Sequence, residues 1–182
     1  MQKEPAKERI ILGIDPGTVV LGYGILKEVN KKISLITLGV IKMGHLDDHA
    51  LKLQRIFKKT SALIAEYKPD CVALEAPFYG KNIQVMLKLG RAQGVAMAAA
   101  LNSDIPIFEY SPRKIKQSVT GNGNASKEQV ASMLQTLLSF KETPEFLDAT
   151  DGLAVAVCHA FQQNLSSGSK NYTGWEAIVK DN

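Results

Sequence analysis

The chain has 182 residues, of which 22 are Lys or Arg and 18 are Asp or Glu, a formal net charge of +4. Hydrophobic residues at 45% and charged residues at 22% are ordinary for a globular protein, which excludes collagen-like and wholly disordered readings. One domain of this size buries a sizeable core without needing disulfides. No apolar run reaches the roughly 18 residues of a membrane-spanning helix. The opening MQKEPAKER is polar and carries both charge signs, so a cytoplasmic protein is expected. Cys71 and Cys158 each lie in an apolar run with no CxxC spacing and read as buried, reduced thiols.

Residues 1–8 read as a flexible N-terminal tail. Residues 164–182, with their Ser, Gly and Asn, read as a flexible C-terminal tail, which leaves 9–163 as the domain. That domain opens with three strand candidates: the Ile-rich Arg9–Asp15, then Leu21–Val29 and Ile33–Met43. The polar segment from Glu28 to Lys32 forms the turn between the last two. Leu53, Ile56, Phe57, Thr60, Leu63 and Ile64 recur at helical steps, and Lys68-Pro69-Asp70 ends that helix. Cys71–Glu75 is a short buried strand, Ile83–Leu101 an alanine-rich helix, and Ile105–Tyr110 a further strand. Ser111-Pro112 starts the next helix. Ser126 with Gln129 is a capping box for another, to about Ser139, and Thr143-Pro144 opens a last one, to about Gln163. This order predicts an α/β fold: a five-stranded mixed sheet with helices on both faces.

Two apolar strands end in acids, Asp15 before Pro16-Gly17 and Glu75 before Ala76-Pro77. Strand ends lie at the sheet rim, where binding sites form. Asp148 and Asp151, three residues apart on the last helix, share a face and repel unless a cation joins them. Four carboxylates without His or Cys partners suit Mg²⁺, with Mn²⁺ able to substitute, better than Zn²⁺. Two such ions about 4 Å apart can activate a water and stabilise a leaving 3′-oxygen. Blander roles compete: an Asp before Pro-Gly serves as a turn residue, and an early-helix Asp such as Asp148 suits the helix dipole. Asp151 adjoins the apolar run from Gly152 to Val157 and is harder to explain structurally.

The stretches GIDPGTVVLGYG (13–24), LEAPFYGKN (74–82), LKLGRAQGVAMAAA (87–100), FEYSPRKIKQSVTGNGNASKEQV (108–130) and DATDGLAVAVCHA (148–160) together resemble the RuvC family of Holliday junction resolvases, in order and spacing, over roughly residues 9–163. The resemblance implies a ribonuclease H-like fold and a homodimer that nicks two opposed strands of four-way junction DNA. It also implies RuvA and RuvB as branch-migration partners. By position it makes Asp15, Glu75, Asp148 and Asp151 the metal-binding catalytic acids. Some relatives carry His where this chain has Asp148. It further makes Phe78 an aromatic that stacks on a base near the junction centre, and places Lys116 and Lys127 near the scissile phosphate.

The residues support these roles on their own terms. Phe78 sits between Pro77 and Tyr79-Gly80, where an aromatic either anchors the loop or awaits a base; stacking is worth about 1–3 kcal/mol per base. Arg113, Lys114, Lys116 and Lys127 bracket the Gly121–Asn124 loop and form a candidate phosphate track. His159, two turns beyond Asp151, reads as structural. Three rivals remain: an actin-like ATPase, whose first hairpin GIDPGT is similar to; a non-catalytic junction-binding module; and another nuclease of this fold acting on RNA or other branched nucleic acid.

Overall fold

The Ile-rich first strand becomes the middle of a five-stranded sheet in a computed structural model that describes residues 8–77, 82–140 and 147–166. The elements are β1 (Glu8–Asp15), β2 (Val20–Val29), β3 (Lys32–Lys42), α1 (His49–Tyr67), β4 (Cys71–Glu75), α2 (Ile83–Leu101), β5 (Ile107–Tyr110), α3 (Pro112–Thr120), α4 (Lys127–Leu138) and α5 (Leu147–Ser166). The sheet order is β3-β2-β1-β4-β5. The β1–β2–β3 meander is antiparallel, and β4 and β5 add in parallel beside β1, so the sheet is mixed as expected.

The continuous apolar run of β1 is explained by cover on both sides. Ile11 packs with α3, α4 and α5, whereas Leu12 and Ile14 pack with α1 and α2. The second face is closed by Ile56 and Ile64 of α1 and by Ala92, Ala96 and Ala100 of α2. These alanines recur at every fourth residue, one face of a helix, and their small size brings α2 close to the sheet.

Local signals hold at several joints. Ser126 accepts from the Gln129 backbone N–H while the Gln129 side chain accepts from the Ser126 N–H, completing the capping box. Ser111 caps α3, with Pro112 in its first turn. Three details differ from expectation. The turn after β2 narrows to Asn30-Lys31, both with positive φ, and Glu28 is instead a buried strand residue paired with Arg9. β5 starts at Ile107 because the Ile105 N–H donates to Ala100 at the end of α2. Phe57, at the edge of the apolar stripe of α1, is 39% exposed. The start expected for the last helix, Thr143-Pro144, lies outside the described residues, as does most of either tail.

Candidate active site

Glycines decide how α5 meets the sheet. A Cβ on Gly13 or Gly24 would run into Ala156 or Leu153 of α5, and one on Gly22 would collide with the Asp148 carbonyl. From the helix side, Gly152 lies against the backbone of Gly22 and Tyr23. Strand and helix backbones therefore touch directly, a spacing that any larger residue forbids. Asp15 pairs with Gly22 across β1 and β2, so this seam sets the first turns of α5 over the end of β1.

The result is a carboxylate cluster. Asp15, Asp148 and Asp151 each offer an oxygen, and these oxygens lie within 4.8 Å of one another. Glu75 ends β4 one residue past the Ile14–Leu74 pairing, and so neighbours Asp15 on the adjacent parallel strand. Asp15 and Glu75 line one cleft of about 310 Å³ with Pro16, Ala76, Pro77, Leu89 and Gln93. Three of the four expected acids thus form one group, and the fourth shares a cleft wall with one of them.

The electrostatics follow from burial and crowding. Burial, then the nearby Glu75 and Asp151 charges, push the Asp15 carboxyl up to about 8. Burial and the Asp151 charge likewise raise Glu75, to about 7. Burial also raises Asp151, although Lys127 opposes the rise. Like charges held this close in a partly dry site favour protonation until a cation arrives. One cation is already present: the Lys127 Nζ donates to Asp148 Oδ1 at 3.2 Å and forms an ion pair with Asp151 Oδ2. Burial tends to lower the Lys127 ammonium, but Asp151 and then Asp148 outweigh it and hold the group above its ordinary value. An all-oxygen donor set that already gathers an ammonium fits a hard divalent ion.

The expected DNA contacts divide. Lys127 enters the acid cluster itself, and the Lys116 charge acts on both Glu75 and Asp151. Arg113 and Lys114 are exposed on the first turn of α3, and the Arg113 stem packs over Gly123 in the loop before α4. Phe78 lies outside the described residues. His159 is fully buried, with Nδ1 2.8 Å from the Tyr110 hydroxyl and Nε2 3.3 Å from Cys71 Sγ. Burial lowers it to about 4, a neutral structural imidazole. Both cysteines are free and buried.

Gln93 is the residue that sequence reasoning missed. It is buried in α2, and its Nε2 donates to the Glu75 carbonyl at 3.3 Å and to Glu109 Oε1 at 2.7 Å. The available signal was a lone amide among the alanines of an otherwise apolar helix face.

Among the described residues no helix is long and apolar enough to cross a membrane. The family model described as "Crossover junction endodeoxyribonuclease RuvC" matches residues 11–159. The protein of that name from Christiangramia forsetii is 58% identical over 96% of this chain and 91% of its own. The Cytophaga hutchinsonii protein of the same name is also 58% identical, over 96% and 86%. Among solved structures, "T. thermophilus RuvC in complex with Holliday junction substrate" superposes with a TM-score of 0.80 at 31% identity, covering 87% of this chain and 97% of that one. The match spans most of the domain, from the strand that carries Asp15 to the helix that carries Asp148 and Asp151, and the chain therefore belongs to the crossover junction endodeoxyribonuclease RuvC family.

Proposed function

We propose that this protein resolves Holliday junctions, nicking two opposed strands of a four-way DNA junction by metal-assisted phosphodiester hydrolysis during recombination and repair. The observation that carries the reading is the convergence of Asp15, Asp148 and Asp151, with Glu75 beside them, in a chain of this family. These four acids hold Mg²⁺, two ions per subunit, with Mn²⁺ a chemical substitute. When bound, the metal lowers the pKa of water and stabilises charge on the leaving oxygen.

The chain's own residues do the rest. The glycine seam fixes Asp15, Asp148 and Asp151 so that an oxygen of each lies within 4.8 Å of the others. Lys116 and Lys127 balance the phosphate's charge at the cleft, while Arg113 and Lys114 extend the basic track along the duplex. Phe78 stacks on a base opened near the junction centre. In-line attack by water on the scissile phosphate leaves a 5′-phosphate and a 3′-hydroxyl, ends that a ligase can rejoin.

Symmetric nicking needs two sites related by a twofold axis, hence a homodimer. Exposed Ile83, Leu87 and Leu101, on one side of α2, offer apolar side chains for that contact. The protein then works in the cytoplasm with RuvA and RuvB. A second reading, a nuclease of the same fold acting on RNA or other branched nucleic acid, is separated by substrate. Cleavage of a four-way junction, a linear duplex and an RNA–DNA hybrid is compared in Mg²⁺, Ca²⁺ and EDTA. Paired nicks confined to the junction and to Mg²⁺ are expected. Preferential cutting of the hybrid would replace the junction reading.

A further inference from the structure

The acid cluster and the basic residue beside it form a single device. Lys127 is the first residue of α4, and its backbone is fixed by the Ser126–Gln129 capping box. Only its four-carbon stem is left to move. Its ammonium engages Asp148 Oδ1 and Asp151 Oδ2, side chains from two of the three carboxylates that gather within 4.8 Å. The Lys127 side chain is 50% exposed and the Asp148 side chain 38%, so no packing seals the pair. An ammonium and a divalent cation seeking the same oxygens repel each other at contact range, and only one of them fits between those acids.

We propose that Lys127 is a tethered counter-ion: it occupies the carboxylate pocket of the DNA-free protein, and the divalent cation must displace it. The inference rests on the metal reading above and goes beyond it. The bound lysine lets the crowded acids coexist in the absence of metal, which weakens metal binding by the free protein. Once displaced, the ammonium stays within reach of the acid cluster on its four-carbon stem, and a DNA phosphate brought there is its natural next partner. Metal and DNA then favour each other's binding, because each relieves a cost that the other would otherwise meet alone. One residue thereby opposes metal binding before DNA arrives and assists the phosphate afterwards.

The test measures Mn²⁺ binding to full-length protein without DNA, by calorimetry and by loss of the free-ion paramagnetic resonance signal. Lys127→Met should bind Mn²⁺ about tenfold more tightly than wild type while cutting junctions more slowly. Lys127→Gln should behave the same way. Lys116→Met is the control: it removes an equal charge that reaches Glu75 and Asp151 only through space, and should change affinity by less than about twofold. Equal gains in the Lys116 and Lys127 variants would mean a general charge effect and would overturn displacement. An unchanged Mn²⁺ affinity in Lys127→Met would overturn it as well. Absence of Mn²⁺ binding in every protein would instead remove the metal reading itself, so the two failures are distinct.

Discussion

The first turn of α5 and the turn around His159 in its middle hold titratable groups in opposite circumstances. At its start, Asp148 and Asp151 meet Asp15 beside an open cleft, and a lysine reaches in from α4. Two turns on, His159 is sealed among Phe108, Tyr110 and Cys71, with both ring nitrogens occupied. Burial drives both sites toward their uncharged forms, raising Asp15 and lowering His159. What differs is the remedy. The acid end can recruit a cation from solvent, whereas the histidine site is already satisfied by neutral partners. Burial with access makes a binding site; burial with full pairing makes a core.

The sharpest way to break this contrast is to remove the acid end's charge. Asp15→Asn should lower junction cleavage by at least about a hundredfold while junction binding in Ca²⁺ is retained and the melting temperature does not fall. Equal cutting by variant and wild type would take Asp15 out of the chemistry. The support beneath that end is next. Gly22→Ala should cost at least about 3 kcal/mol in denaturant unfolding, since its Cβ meets the Asp148 carbonyl with no side chain able to give way. A near-neutral effect would show that α5 can lift off the sheet without penalty.

The pH dependence separates the two sites by sign. His159 has a folded value of about 4 against an ordinary 6.5, so the unfolded chain binds more protons between them. Its contribution is fully present above about 6.5 and is lost as pH falls through 4, roughly 3 kcal/mol in all. Asp15 has the reverse linkage: raised to about 8, it stabilises the metal-free fold at low pH and withdraws that support as pH rises toward 8. The two slopes oppose each other between about pH 4 and 6.5, so thermal melts in EDTA should stay nearly level there and weaken from 6.5 toward 8. Asp15→Asn should remove the alkaline loss and expose a loss on acidification, whereas His159→Leu should give a steady loss from about pH 4 to 8. A profile unchanged in either variant would assign the titration elsewhere. The smallest effect concerns Gln93: Gln93→Leu should raise the Mg²⁺ concentration needed for half-maximal cleavage about threefold to fivefold, by freeing the end of β4 that carries Glu75. An unchanged Mg²⁺ requirement would limit Gln93 to packing.

Much of the frame was legible in the chain. The strand Cys71–Glu75 and the helix Ile83–Leu101 are found with the bounds that periodicity gave, because apolar run length and punctuation coincide there. The bounds of β5 slipped because Ile105 spends its N–H on α2, a tertiary choice invisible in a strand-like sequence. Phe57 matched the apolar period yet remains partly exposed, because it sits at the edge of the face that Ile56, Thr60 and Ile64 bury. The acids were legible as types at strand ends and at a helical spacing. Their meeting was implied by the resemblance to the RuvC family, but the glycines that bring it about through backbone contact were not legible as such. Lys127 was read as a phosphate contact from the family resemblance and from its place beside a loop. Its pairing with Asp148 and Asp151 needed the packing of α4 against α5 to be known.

The glycine seam has a mechanical consequence. A helix separated from a strand by side chains can rock as those chains change rotamer, and its functional groups drift with it. Here the separation is set by hard backbone atoms along Gly13, Gly22, Gly24 and Gly152, which have no rotamers to change. Repacking in either apolar layer can shift the outer helices while the Asp15 strand and the Asp148–Asp151 turn keep their mutual distance. The cradle is in that sense a rigid hinge pin around which the remainder of the domain is free to vary.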